Sequence, residues 1–208
     1  PIGSRGLGDV YKRQLFFLFL IPAITMRMFA EEFNTGTLEL LLTRPLKIMD
    51  IIGGKFLAAL MLVVFSILPT IVYYFSIYKL AAPVGNVDTG GIIGSYFGLI
   101  LLGASFVALG TFSSAITHNQ IIAFLIGVLF CFTFYMGLDF LAKMPVFVGR
   151  LDYFIEHLGI NAHYLAMSKG VIDTRDLLYF LSLIIIFLLL TKIVPVSYTH
   201  LTLPTRLS

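Results

Sequence analysis

The sequence predicts an all-α, polytopic membrane protein, and two observations carry that prediction. The 208-residue chain is 59% hydrophobic and 12% charged, whereas a soluble domain carries roughly 25% charged residues; its mean hydropathy is +0.98. Its apolar runs are also long enough to cross a bilayer as helices, and short polar stretches rich in turn-forming residues separate them.

The two ends are expected to be foreign to that domain. Asp9–Gln14 (DVYKRQ) can be encoded by GAT GTG TAT AAG AGA CAG. The reverse complement, read in another frame, ends a Pro codon and then encodes Val-Ser-Tyr-Thr-His, which is Pro195–His200. Opposite ends of a natural gene have no reason to be reverse complements, but an inverted sequencing adaptor does. Residues 1–14 and 195–208 are therefore read as adaptor-derived tails, leaving 15–194 as the transmembrane domain. Removing them takes away Arg5, Lys12, Arg13 and Arg206 against Asp9 alone, so the remaining acidic and basic residues balance. The basic pI of 9.0 then implies no nucleic-acid partner.

Leu15–Ala30 reads as the tail of a spanning helix, too short to cross ~30 Å at 1.5 Å per residue, with a kink at Pro22. It is predicted to continue through Glu31 and Glu32 and stop at Gly36, a C′ glycine. Thr37 can cap a short helix over Thr37–Thr43 with Leu38, Leu41 and Leu42 on one face, ended by Pro45. Seven residues hold no helix in water unaided, so that face needs a surface. Ile48–Leu80 reads as the next span, kinked at Pro69.

Ala81–Thr89 is a turn-rich loop. Gly90–Ile116 spans again, with Gly90, Gly94 and Gly98 spaced for close helix packing within the chain. Thr117–Gln120 is a tight polar loop before a span over Ile121–Leu141. Within Ala142–Asp176, two short amphipathic helices, one closed by Gly159 and one capped by Asn161 and closed by Gly170, look re-entrant or interfacial. Asp173 and Asp176 form a capping-box-like start for the last span, Leu177–Val194. Lys and Arg divide evenly between the two sides, so charge alone assigns no orientation.

Several chemical readings fail. Gly53-Gly54-Lys55 lacks the earlier Gly, the Ser/Thr and the preceding strand of a phosphate loop. His157 and His163 are six apart, not the four that suits a metal on one helix face, so no metal site is expected. Asp139, at a helix end, reads as a cap or a snorkelling group rather than a relay. Ser66, Ser105, Ser113 and Ser114 lie in spans without a His or carboxylate partner, so no catalytic residues are expected. Cys131, in an apolar run, has no second cysteine to pair with.

The most charged stretch carries the functional signal. In Glu31–Lys55 the pattern E-E-x-x-x-G-T-L-E-L-L-L-T-x-P, with Gly54-Lys55 beyond it, resembles the first cytoplasmic loop of type-2 ABC transporter permeases. Leu80–Tyr96, Asn119-Gln120-Ile121 and Gly170–Phe180 resemble the gliding-motility-associated branch of that family. The resemblance implies a six-span subunit of which this fragment holds five spans, the first being missing. It also implies that Glu31–Lys55 and Thr117–Gln120 face the cytoplasm and that 142–176 is an external re-entrant region.

By the same resemblance, the short helix would be a coupling helix docked on a separate ATPase. Glu32, Gly36, Thr37, Glu39, Leu42 and Pro45 would form the coupling loop, and His118, Asn119 and Gln120 the second cytoplasmic loop. Phe33-Asn34-Thr35 departs from relatives that often carry charge there. The chain itself would need no cofactor, with ATP and Mg held by the partner ATPase. A second permease chain, identical or not, would complete the complex in a bacterial inner membrane. Besides transport linked to gliding motility or envelope export, two readings stay open: an assembly component of an envelope machine, and a permease serving copper-enzyme maturation.

Overall fold

The computed structural model describes residues 15–37, 47–81, 88–145, 149 and 152–202, with side chains as far as Val194. Every regular element among them is helical. In chain order these are α1 (15–25), α2 (Ala30–Thr35), α3 (Ile48–Ile67), α4 (Ile71–Leu80), α5 (Thr89–Ile116), α6 (Gln120–Phe132), α7 (Leu138–Ala142), α8 (Asp152–Leu158), α9 (Ile160–Ser168) and α10 (Thr174–Thr202).

Four stretches are long and apolar enough to cross a membrane: Ile48–Leu80, Thr89–Ile116, Gln120–Ala142 and Thr174–Val194. These are the four full spans expected from sequence. The side chains left outward say why a bilayer is needed. Met61, Phe65, Val72 and Phe75 are 59–72% exposed, and water would penalise each of them by about 1.5–3 kcal/mol relative to burial. Thr89–Ile116 differs from the others, with 56% of its most apolar window buried against 17–28% elsewhere. Its small residues let neighbours come close.

Pro69 interrupts the first of these spans, as predicted. Proline has no N–H for the Phe65 carbonyl, and Leu68–Thr70 tightens to a 3-10 turn before α4 resumes. The helix expected to run on through Glu31 and Glu32 to Gly36 is interrupted. Pro22 sits inside α1, and its carbonyl still accepts from the Met26 N–H at 2.9 Å. The helix opens at 26–29. Gly36 ends α2 with φ +71°, the left-handed conformation that favours glycine.

Gly159 closes α8 as expected, its N–H donating to the Glu156 carbonyl at 3.0 Å, but two capping expectations are corrected. Gly159, in extended conformation, also precedes α9; Asn161 lies within the helix, buried, with Oδ1 lacking a hydrogen-bond partner. Its register is set by the packing of α9 rather than by local capping. Asp173 caps α10 through the Arg175 N–H at 3.0 Å, but Asp176 turns to His163 instead of completing the box. A π-helical turn over Thr133–Gly137 joins α6 to α7. α10 continues past the expected junction at Pro195 to Thr202.

The fold divides into two compact units. The first takes in the chain up to Leu57, Ser105–Phe132 and everything from Leu183; the second comprises Ala58–Ala104 and Thr133–Ser182. In the first, Phe29, Ile52 and Ala115 form a core flanked by Met28, Phe33, Ile48, Met49, Leu188 and Val194. Phe112 packs against Phe130 and Phe187 beside it, with centroids 5.9 and 5.5 Å away. In the second, Gly94 and Gly98 on α5 meet α9: a Cβ on Gly94 would stand 2.4 Å from the Met167 carbonyl oxygen, and one on Gly98 3.2 Å from Met167 Cβ. A Cβ on Gly90 would meet only Asp88, but its backbone lies against Gly170 beyond α9, where a Cβ would stand 3.1 Å from the Gly90 carbonyl carbon.

Candidate functional site

The opening between α1 and α2 is the origin of the site. Breaking a helix inside a protein frees backbone groups that must find partners elsewhere. Here Ser114 of α5 supplies them. Its hydroxyl donates to the Met26 carbonyl at 3.0 Å and accepts from the Phe29 and Ala30 N–H groups at 2.9 and 3.1 Å. One donor and two lone pairs are the whole capacity of a hydroxyl, so Ser114 is saturated. α1 comes close enough for this because Gly110 carries no side chain: a Cβ there would lie 2.0 Å from Thr25 Oγ1.

Lys55 of α3 takes the next freed carbonyl. Its Nζ donates to the Met28 carbonyl, pairs with Glu32 Oε1 at 2.5 Å, and lies 4.8 Å from the centroid of the Phe29 ring. The Lys55 and Glu32 side chains are each 20% exposed, so solvent screens the pair only partly. The second Glu32 oxygen is buried without a partner. One ammonium thus holds both the break and the first turn of α2.

Of the other loop residues, Gly36 supplies the left-handed turn, and Thr37 follows it with its hydroxyl 2.9 Å from that of Thr35. Glu39, Leu42, Pro45 and the rest of the predicted coupling helix lie outside the described residues. From the second polar loop, the His118 ring meets Phe33 edge-on at 5.0 Å. Asn119 caps α6, its Oδ1 accepting from the Ile121 N–H at 2.9 Å. Gln120 opens that helix, half-buried. The two loops are therefore in contact through Phe33 and His118.

The arrangement positions a segment; it does not fit a nucleotide. Gly53 and Gly54 are turns of a continuous helix with open space around them, and the Lys55 ammonium is spent on Glu32 and Met28. Among the described residues no group of three or more His, Cys, Asp or Glu is placed to hold a metal. Cys131 is buried, and Asp139 pairs with Lys143 one turn on at 2.9 Å.

Sequence reasoning missed Ser114 and the work of Lys55. In sequence Ser114 stands out only as a possible nucleophile, and its real partners are 84 to 88 residues away in the chain. The one signal for Lys55 was its place at the end of the charged stretch, with Glu32 at the other end.

Comparison with known proteins adds one match. The model of a family described as ABC-2 family transporter protein covers residues 14–200. Neither the curated proteins nor the solved structures contain a match to the chain.

Proposed function

Because the chain belongs to the ABC-2 family of transporter membrane proteins, we propose that it couples to a separate ATPase subunit through the 31–55 loop. Membership makes it a multi-pass permease subunit, with an ATPase partner implied by the family. The observation that carries the coupling reading is the anchoring of α2. A polar segment leaving the membrane domain transmits force only if it is fixed to the spans, and Lys55 and Ser114 fix it at both sides of its break.

In this reading ATP and Mg bind the partner, because the chain's only Gly-Gly-Lys run is a helix with its lysine engaged. Nucleotide-driven closure of the ATPase displaces the helix predicted over Thr37–Thr43. α2 carries the displacement to α3 through the Glu32–Lys55 pair and to α5 through Ser114. His118 against Phe33 adds the second polar loop to the same body. A partner can shift the membrane domain only by binding two of its conformations unequally. The loop would face the cytoplasm of a bacterial inner membrane, beside a second permease chain.

The segments Leu80–Tyr96 and Gly170–Phe180 support a system linked to gliding motility or envelope export. The coupling reading is tested by co-purification. Glu39→Lys with Leu42→Lys should abolish recovery of the ATPase with the permease, while the permease still reaches the membrane. Unchanged recovery would overturn docking through this loop.

A further inference from the structure

The second unit holds a buried polar cluster that coupling does not use. His163 of α9 is 9% exposed and Asp176 of α10 is 8% exposed. His163 Nδ1 lies 2.6 Å from Asp176 Oδ1, and Nε2 lies 2.8 Å from the backbone carbonyl oxygen of His157. Tyr179 stacks on the imidazole, centroids 4.0 Å apart, and donates its hydroxyl proton to the Leu158 carbonyl at 2.5 Å. His157 and Leu158 are the last residues of α8. Their carbonyls have no partner within that helix, and both are taken by side chains from beyond it. The cluster fastens α8 and α9 to the first turns of α10.

The chemistry of the partners fixes how many protons this fastening needs. A carbonyl oxygen only accepts, so Nε2 must carry hydrogen. The other ring nitrogen faces a carboxylate oxygen at 2.6 Å, where two lone pairs would repel. A hydrogen must lie between them, whichever of the two carries it. The pair therefore holds one proton more than a neutral imidazole beside a carboxylate. We propose that His163 and Asp176 form a proton-binding site that locks α8 and α9 onto α10 when occupied and releases them when the proton leaves.

The neighbouring titratable groups leave that role to the pair. The His157 ring stands edge-on to His163 at 5.9 Å, its own Nδ1 3.1 Å from the Tyr153 carbonyl oxygen. Tyr179 is committed to Leu158. On α7, which packs against α8, Asp139 is engaged by Lys143. The lock is closed on the acidic side and opens as pH rises, since a neutral imidazole beside a carboxylate has one N–H and can donate to Asp176 or to the His157 carbonyl but not to both.

Asp176→Asn separates this from a merely structural contact. An asparagine N–H can donate to the Nδ1 lone pair while the neutral ring keeps its Nε2–H on His157, so the variant closes the lock without the extra proton. The full chain in lipid nanodiscs is followed by amide hydrogen exchange over residues 152–168. The wild-type rate is divided by the Asp176→Asn rate at each pH, which cancels the intrinsic pH dependence of exchange. The ratio is expected near one at mildly acidic pH and to rise about tenfold toward alkaline pH. A ratio that does not change with pH overturns the proposal. Nitrogen-15 spectra of histidine-labelled wild type supply a second reading that survives misfolding of the variant. They should show a His163 Nδ1 that carries or shares a proton at acidic pH; a free Nδ1 lone pair there overturns it equally. Neither measurement involves the ATPase, so the outcome is distinguishable from that of the coupling test.

Discussion

Lys55 Nζ lies 2.5 Å from Glu32 Oε1, joining the two ends of the charged stretch 31–55 across the core that holds Phe29 and Ile52. Together with Ser114, the pair fastens the start of α2 to the neighbouring helices. Glu32→Gln keeps a neutral acceptor for the ammonium, whereas Lys55→Met leaves the Met28 carbonyl and the Glu32 carboxylate without their donor. Lys55→Met should therefore be the worse of the two, costing about 1–3 kcal/mol for the groups left unpaired. The reversed pair, Glu32→Lys with Lys55→Glu, should recover only part, since a glutamate at 55 cannot donate to Met28. Thermal unfolding of the detergent-solubilised chain ranks the variants, and nucleotide-stimulated transport by the complete complex reads the coupling.

Ser114 makes a sharper demand. Ser114→Ala removes the donor for Met26 and the acceptor for both the Phe29 and Ala30 N–H groups. Each buried backbone group so stranded costs about 1–3 kcal/mol. Ser114→Thr keeps the hydroxyl and adds a methyl group in a buried position, so it should cost less. The midpoint of thermal unfolding should fall in the order wild type, Thr, Ala. Equal midpoints for Ala and wild type would mean that water or a shifted backbone replaces the hydroxyl.

The parts of this fold that were legible in the sequence are those that depend on near neighbours. Hydropathy marked the four spans, Pro69 marked its own break, and Gly36 marked the end of α2, because chain length, a missing N–H and a left-handed turn are local properties. The break at 26–29 was not legible. A proline four residues earlier drew attention, yet the helix opens where a serine from another span can satisfy it. Asn161 misled for the same reason: a capping residue type in a plausible place was overruled by the burial of α9 against Gly94 and Gly98. The Phe33–His118 contact joins two loops that local sequence could identify only separately.

Orientation can be measured with little background, because the single cysteine, Cys131, is buried. Thr117→Cys and Met144→Cys place a thiol at the two polar ends of the span Gln120–Ala142. An impermeant maleimide applied to intact cells should label the cysteine at 144, and the cysteine at 117 only after the membrane is opened. The opposite pattern would put the 31–55 loop, which touches the 117–120 loop through Phe33 and His118, on the wrong side for an ATPase.

Gly110 tests how tightly α1 must sit against α5. A Cβ at 110 would lie 2.0 Å from Thr25 Oγ1, 2.9 Å from Thr25 Cβ and 3.3 Å from Cγ2, so Gly110→Ala forces α1 outward. Overpacking of this kind costs about 1–3 kcal/mol, and here it should also pull the Met26, Phe29 and Ala30 groups off Ser114. Thr25→Ala alone loses only the hydroxyl contacts to the Ile21 and Pro22 carbonyls within α1, so it should be mild. It also removes the two atoms Oγ1 and Cγ2 that the new methyl group strikes. Combined with Gly110→Ala it should restore part of the lost stability, leaving the 2.9 Å approach to Thr25 Cβ as the remainder. A double-mutant cycle on unfolding midpoints measures this as a favourable interaction between the two substitutions. Strict additivity would show that the α1–α5 approach is looser than the geometry requires, and that Ser114 reaches the break by some other accommodation.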